Sequence, residues 1–521
     1  MNRREFIKTS GAAISISMAG LSGLVNGGVQ LSNEKLDIRL GDKRPNLLLL
    51  MTDQQRGDCL GCAGNPVIKT PNMDTIAADG VLFSSAYVSV PSCTPARAGL
   101  LTGLSPWHHG MLGYGRVGQN YTFKLPQMLR EAGYYTFGIG KMHWYPQKTL
   151  HGFHGTLVDE SGRVETPDFI SDYRRWFAET APGQDPDALG IGWNSYQAGV
   201  YPLDERLHPT YWTGTTACHF LEHYNKPEPF MLKVSFARPH SPYDPPQRYM
   251  DLYQVEQMPS PQVGDWAAKY APLSHPSRDD IWHGDRGVQA AKVSRRGYYG
   301  SISFIDEQIG RIIRTLKKKG LYDNTLILFV SDHGDMLGDH HLWRKTYAYE
   351  GSAHVPFILK WPRNFQAAID RGSVLANPVE LRDILPTFLD AAGVTVPPAL
   401  DGKSLLTLLR NKTAEWRDYI DLEHAYVYAG SPNWTGLTDG VWKYIYDARD
   451  GSEQLFNLHH DPYERIDLST QSAYAAALAL WRERMADHLS ERGPAFVQNN
   501  QLAIRTSQIL YSPYYSHPYP S

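Results

Sequence analysis

Short, unbroken apolar runs punctuate the chain at wide intervals. Asn46-Leu47-Leu48-Leu49-Leu50-Met51 ends at Thr52-Asp53, and Leu326-Ile327-Leu328-Phe329-Val330 ends at Ser331-Asp332-His333. Runs of this length, apolar at every position, predict strands buried on both faces of a parallel sheet. Two more, over Tyr134–Ile139 and Phe230–Phe236, predict further strands, with helical patterns between them. That alternation predicts an α/β fold: a large mixed, mostly parallel sheet sandwiched by helices. Ligands in such folds bind beyond the carboxyl ends of the strands, where Asp53 and Asp332 both fall.

The pattern changes after Pro397-Pro398 and Leu405-Leu406. From Trp416 to Leu468 strand-like pieces such as Trp442-Lys443-Tyr444-Ile445-Tyr446 alternate with turn residues, and a helical pattern runs from about Ser472 to Leu489. This predicts a small antiparallel subdomain closed by a helix. The expected organisation is a main domain over 40–410, a C-terminal α+β subdomain over 411–495 and a tail over 496–521. The tail carries Tyr511, Tyr514, Tyr515 and Tyr519 among Pro and Ser without any period, so it is expected to lie across the surface or frame a pocket.

At the other end, Met1-Asn2-Arg3-Arg4-Glu5-Phe6-Ile7-Lys8 precedes a mildly apolar stretch reaching Val25. A basic start before a short apolar region is the pattern of a secretory signal, and the paired arginines suggest the twin-arginine route. Residues 1–30 are therefore expected to direct export to the periplasm or beyond the cell. No later stretch approaches the roughly 20 apolar residues of a spanning helix, so no stable membrane anchor is expected.

Length and composition narrow the partners. With 521 residues, 42% of them hydrophobic, the chain can bury a large core. A net charge of -3 gives no electrostatic case for nucleic acid. There are four cysteines, Cys59, Cys62, Cys93 and Cys218. Cys59 and Cys62 form a C-x-x-C with no second pair or nearby His, so they are expected to be structural thiols or a local disulfide, not a zinc site.

Cys93 is different. In Cys93-Thr94-Pro95-Ala96-Arg97, Pro95 suits a first helical position and Thr94 an N-cap, which would put Cys93 at a helix start. Free amides and the helix dipole attract an anion there. Arg97, four residues on, shares its face.

Pro91 to Gly103 resembles, over its whole length, the first signature of the formylglycine-dependent sulfatases of the alkaline phosphatase superfamily. Gly133-Tyr134-Tyr135-Thr136 through Gly140-Lys141-Met142-His143 resembles the second. The similarity extends to the ends of both strands and to Leu455-Phe456-Asn457-Leu458 before Asp461-Pro462, covering roughly residues 44 to 490. It implies an alkaline phosphatase/sulfatase-like fold and a hydrolase of sulfate esters. It further implies that a formylglycine-generating enzyme oxidises Cys93 to 3-oxoalanine (formylglycine). One oxygen of the hydrated aldehyde would attack sulfur and expel the alcohol, and collapse of the second hydroxyl would then release sulfate.

The same resemblance implies a metal held by Asp53, Gln54, Cys93 (as formylglycine), Asp332 and His333. Many relatives carry Asp and Asn where this chain has Gln54 and His333. An all-oxygen site favours Ca²⁺, the expected ion, and the imidazole of His333 makes Mn²⁺ competitive. Arg97, Lys141 and Lys345 match positions that stabilise charge on the nucleophile and sulfate. His143 matches the residue that orients the formylglycine, and His240 the general acid beside the leaving oxygen. His340, His341 and His354 are assigned a lining role, and Arg56 and Asp58 a supporting one.

Export points to a sulfated carbohydrate met outside the cell, such as a glycosaminoglycan or an algal polysaccharide; a small aryl or choline sulfate is an alternative. Substrate contacts are expected from the loop Tyr145 to Trp193 and the C-terminal subdomain. Two rival functions are a phosphonate monoester or phosphodiester hydrolase of the same superfamily, and a non-catalytic glycan-binding protein should Cys93 stay unconverted.

Overall fold

The computed structural model describes residues 44–425, 427, 428 and 431–516; the signal read over 1–30 and Tyr519 of the tail lie outside them. In order, the chain lays down β1 (Asn46–Asp53), β2 (Val81–Phe83), a short β3 (Ala86–Tyr87), β4 (Tyr135–Gly140), β5 (Gly155–Val158), β6 (Phe230–Pro239), β7 (Thr325–Ser331), β8 (Phe357–Lys360), β9 (Ser373–Leu375) and a short β10 (Val379–Glu380) paired with β3. Eight of these form one sheet in the order β5-β4-β6-β1-β7-β8-β2-β9, in which β8 alone runs antiparallel to its neighbours. The mixed, mostly parallel sheet expected from the apolar runs is therefore present.

The period of two along a strand explains why those runs are apolar throughout. Leu47, Leu49 and Met51 of β1 and Leu326, Leu328 and Val330 of β7 face one core; Leu48, Leu50, Ile327 and Phe329 face the other. Helices α1 (Cys93–Thr102), α2 (Pro209–His223) and α3 (Val288–Lys318) help to cover the two faces. Ala96, Ala98, Leu100 and Leu101 of α1 fill the first core, while Ala217 and Leu221 of α2 and Ile302, Ile305, Ile309 and Ile312 of α3 fill the second. Both faces of the central strands are thereby buried, each large side chain contributing about 1.5–3 kcal/mol.

Register then concentrates chemistry at one edge. β1 lies between β6 and β7, with Asp53 opposite Pro239 and Thr52 opposite Ser331, and Gly140 of β4 lies opposite Ser235 of β6. Four neighbouring strands thus end together, and the chain leaving them supplies Lys141, His240, Asp53 and Asp332.

A second sheet, β11 (Ile420–His424), β12 (Trp434–Thr438), β13 (Trp442–Asp447) and β14 (Glu453–Asn457), is antiparallel throughout. Trp481, Met485 and Leu489 of α4 (Ala475–Leu489) pack with Leu437, Tyr444 and Leu455 of that sheet. The tail is more ordered than its lack of period suggested. It forms a two-residue hairpin of β15 (Val497–Gln498) and β16 (Gln501–Leu502), then Tyr511 bridges to Met111 and its ring stacks on Tyr515 at 4.0 Å. The Tyr515 hydroxyl donates to the Arg116 carbonyl at a short distance, so the tail lies against the segment that carries Tyr114. Among the described residues no helix is long and apolar enough to cross a membrane.

The sheets are tied by a buried charge cluster. Lys443 of β13, 0% exposed at its side chain, donates to Glu350 at 2.7 Å and to Glu464 at 2.8 Å. Removing the ammonium leaves the Glu464 carboxylate, 1% exposed, without a counter-charge, while Glu350 keeps His354 at 3.1 Å. Lys443→Ala is therefore expected to destabilise the protein by about 3–5 kcal/mol, read as a shift in the midpoint of urea unfolding; a change below about 1 kcal/mol would show that the cluster behaves like a surface pair.

Candidate active site

Cys93 is the first residue of α1, buried at 1% exposure. Ser92, not Thr94 as expected, is the N-cap, because Cys93, Thr94 and Pro95 all fall within the first turn, where Pro95 has no intrahelical amide bond to lose. The Thr94 hydroxyl instead accepts from the Gly115 amide at 3.2 Å. Ser92 makes no side-chain cap to its own helix; its hydroxyl meets Nε2 of His424, on β11, at 2.9 Å. The second sheet therefore grips the residue immediately before Cys93.

Around the thiol the strand-end residues converge. Cys93 Sγ lies 3.2 Å from His333 Nε2, 3.4 Å from Lys345 Nζ and 3.9 Å from Asp53 Oδ1. Arg97, one turn along α1, pairs with Asp332 at 2.8 Å and Asp53 at 3.3 Å, and donates to the Lys141 carbonyl at 2.7 Å and to Ser235 at 3.1 Å. Lys141 Nζ is ion-paired to Asp53. Lys345 Nζ also donates to Gln54 Oε1 at 2.9 Å and His240 Nε2 at 2.8 Å. Asp53, Gln54, Arg97, Lys141, Asp332 and His333 are each at most 1% exposed.

Charges this deeply buried must compensate one another. Burial alone would raise the Asp53 carboxyl; Lys141 and Lys345 outweigh it and hold it well below the usual carboxylate range. Burial and Asp53 push the Cys93 thiol up, yet Lys345, Lys141 and His333 bring it down to about 7. Three cations, Arg97, Lys141 and Lys345, face the two carboxylates, leaving a net positive cavity suited to an anion.

The donor set also fits a divalent metal. Ligand atoms of Asp53, Cys93, Asp332 and His333 all lie within 4.8 Å of one another. His333 Nδ1 donates to the Gly334 carbonyl at 2.9 Å, so in the neutral ring Nε2 turns its lone pair toward the cluster. The Gln54 amide nitrogen is held by Asp335, which leaves Oε1 on the side of Lys345 and Cys93. Gln54 adopts φ 74, a left-handed conformation sustained by its amide bond to Asp332 Oδ1 at 3.1 Å and by the Tyr298 hydroxyl on its carbonyl.

A pocket of about 200 Å³ opens above Cys93, walled by Tyr114, His143, Arg163, Trp193, His240 and Tyr428 among others. His143 lines it, but its ring contacts Tyr114, Arg163 and Glu165 rather than Cys93. Its backbone, at φ 59, is pinned by Glu160, which accepts from the amides of Met142 and His143 at 3.0 and 2.8 Å. His240 Nδ1 donates to the Ser241 carbonyl at 2.9 Å, and burial together with Lys345 holds the ring's pKa well below the ordinary value.

Other expectations fall elsewhere. His340 and His354 line a separate cavity with Arg56 and Asp58, and His341 sits 3.8 Å from Asp285, so none of the three borders Cys93. Arg56 binds both Asp58 and Asp339, at 2.7 and 2.8 Å. Cys59 and Cys62 are free thiols, which excludes the local disulfide. Asp335, Glu160, Tyr114 and His424 were not anticipated. Asp335, in Asp332-His333-Gly334-Asp335, stood close enough to the strand end to be found; His424 had no local signal.

A strand-end cluster of carboxylates and cations around a cysteine at a helix start on this sheet defines a hydrolase of the alkaline phosphatase superfamily. The chain belongs to the sulfatase family, whose profile, described as Sulfatase, matches residues 45–394, and it is a sulfuric ester hydrolase. A second profile, N-sulphoglucosamine sulphohydrolase, C-terminal, matches 338–491. The chain is 39% identical to an arylsulfatase of Clostridium perfringens, over 88% of this chain and 97% of that one. It is 32% identical to a choline-sulfatase of Rhizobium meliloti, over 85% and 87%. A phosphonate monoester hydrolase of Agrobacterium radiobacter superposes with a TM-score of 0.73 at 26% identity, over 89% of this chain and 100% of that one.

The His424–Ser92 contact makes a pH prediction. Burial pushes His424 down to about 4. Between the unfolded value near 6.5 and that point, the unfolded chain takes up a proton that the folded chain refuses. This contribution is therefore absent above pH 6.5 and costs stability as pH falls, by about 1.4 kcal/mol per unit. His424→Gln, whose amide oxygen can accept from Ser92, is expected to flatten the acid slope of unfolding free energy by that amount between pH 6.5 and 4.5. Parallel slopes for both proteins would contradict the assignment.

Proposed function

We propose that the protein is an exported sulfatase acting on a sulfated carbohydrate, with Cys93 matured to formylglycine and a divalent cation at Asp53, Gln54, Asp332 and His333. The observation that carries this reading is the placement of Cys93 Sγ within 3.2–3.9 Å of His333, Lys345 and Asp53 at the start of α1. Sγ stands where the formylglycine oxygens would be. The hydrated aldehyde supplies one oxygen to attack sulfur and a second whose collapse to the aldehyde releases sulfate. The cation, Ca²⁺ or Mn²⁺, supplies charge that favours the deprotonated nucleophile.

The chain's own residues do the rest. Arg97 and Lys141 pair with Asp53 and Asp332, so the carboxylates do not repel a sulfate. The α1 amides and Lys345 meet the charge that develops on the sulfate oxygens. His143, fixed by Glu160, orients the nucleophile's side of the pocket. His240 delivers the proton to the leaving oxygen. Its Nδ1–H is committed to Ser241 and its Nε2 accepts from Lys345, so the ring would act as the acid after taking up a proton from solvent at Nε2, with Lys345 keeping its charge.

Residues 40–410 are assigned as the catalytic domain and 411–495 as its C-terminal partner, a division that agrees with the first profile match ending at 394, while the second, over 338–491, spans the boundary. The Arg3-Arg4 signal supports export, and a formylglycine-generating enzyme acts during maturation. A phosphonate monoester or phosphodiester is the second reading. It is favoured by the structural likeness to the Agrobacterium enzyme, and such an ester carries the same single charge as a sulfate ester.

Peptide mass spectrometry of protein from its native host should find an aldehyde at Cys93, and Cys93→Ala should abolish sulfate release from sulfated glycans. An unmodified thiol in active native protein would sink the formylglycine step. His240→Ala is expected to lower kcat by about 10²–10⁴-fold on alkyl sulfates and much less on 4-nitrophenyl sulfate, whose leaving group needs no proton. Equal losses on both would remove His240 as the acid. Dialysis against a chelator should remove activity, with Ca²⁺ or Mn²⁺ restoring it; faster turnover of a phosphonate monoester than of any sulfate would favour the second reading.

A further inference from the structure

The pocket above Cys93 carries more positive charge than one sulfate group needs. Lys345 touches Cys93 and is accounted for by the reaction. Its neighbour Arg344 lines the same pocket and is not. Among the described residues no carboxylate lies within ion-pairing distance of the Arg344 guanidinium. It donates to the main-chain carbonyl of Asp280 at 3.0 Å and lies 4.8 Å from the ring centre of Tyr428, and its buried Nε has no partner among the described residues. The Asp280 carboxylate is already taken by a fork from Arg278, at 2.6 Å through Nε.

The backbone holds this side chain in place at a cost. Arg344 has φ 68 and Thr346 φ 85, both left-handed. Asp335 fixes the Arg344 amide at 3.0 Å, Met336 donates to the Arg344 carbonyl at 2.7 Å, and the Thr346 amide reaches Pro91 at 2.9 Å. The same Asp335 holds Gln54 at the cation cluster. Strain retained beside a reacting centre keeps two consecutive cations, Arg344 and Lys345, on one wall. None of the described residues lining the pocket is acidic, so no carboxylate there neutralises Arg344.

We propose that Arg344 is the head of a second anion subsite, and that the substrate carries a second anionic group, a carboxylate or a further sulfate, on the unit that bears the scissile ester. The half-buried ring of Tyr428 beside the guanidinium limits where it can swing, and a guanidinium offers a carboxylate or sulfate two parallel N–H bonds. The pocket volume of about 200 Å³ is that of about one sugar unit, so both anions are placed on the unit that enters it. This rests on the sulfate-ester reading of the Cys93 site. It narrows that reading toward polyanionic glycans.

Two measurements on the full chain separate this inference from the reading beneath it. Equilibrium binding is measured on Cys93→Ala, which cannot turn over, with a monosulfated hexosamine, the same sugar carrying two sulfates, and a sulfated uronate-containing disaccharide. The selectivity in kcat/KM among the same three sugars is measured on the matured protein. At least one dianionic sugar is expected to bind about tenfold tighter than the monosulfated one, the scale of a charge-assisted hydrogen bond. Arg344→Gln should collapse that ratio toward one in both measurements, through KM in the second, and Arg344→Lys should restore part of it. The arm that shows the preference tells carboxylate from second sulfate. No preference in either arm, or equal weakening of all three sugars by Arg344→Gln, overturns the subsite. Retained binding preference with no turnover of any sulfate would instead overturn the sulfatase reading and leave the subsite standing.

Discussion

The structure of the site depends on neutralising two carboxylates that have no access to water. Asp53 and Asp332 end adjacent strands at 0% exposure, and a bare carboxylate there would be intolerable or protonated. Arg97 resolves this by bridging both, and Lys141 adds a second contact to Asp53. Because Arg97 lies one turn from Cys93, the electrostatic requirement of the strands fixes where α1 begins, and so where Cys93 sits. The same arrangement holds the Asp53 carboxyl well below the usual carboxylate range.

Around that centre, support arrives from distant parts of the chain. Asp335 accepts from Gln54, from Tyr243 and from the backbone of Leu337 and Arg344, and so couples the Gln54 amide to the strained segment that presents Lys345. Glu160 pins His143, and His424 of the second sheet reaches Ser92. The small sheet thus does more than cover the large one: Trp434 binds the Thr346 carbonyl at 2.9 Å, and Tyr428 walls the pocket. The charged cluster sits on rigid strand ends and a helix start, whereas the walls of the pocket above it come from loops, which can vary without disturbing the centre.

Much of this is legible in the sequence because it is local. Continuous apolar runs ending in Asp identify β1 and β7, since strands buried on both faces leave no polar alternation. Cys93 and Arg97 four residues apart share a helix face by the helical repeat alone. The N-cap falls two residues before the one that Pro95 suggests, because proline is tolerated throughout the first turn and its position does not set the helix start uniquely. Closeness in sequence points His340 and His354 at the pocket, but the turn after β7 carries both to another cavity.

What the sequence by itself determined is the class of fold, the strand ends that carry Asp53 and Asp332 and the shared helix face of Cys93 and Arg97, because periodicity and short-range spacing carry them; the other expected site residues came from the family resemblance. What only the tertiary structure decided is which side chains meet across tens or hundreds of residues. No pattern in the chain links His424 to Ser92 or Glu160 to His143, or tells that Arg344 meets no carboxylate among the described residues. Those relations are set by how sheets and loops pack, and packing depends on the whole core at once rather than on any window of sequence.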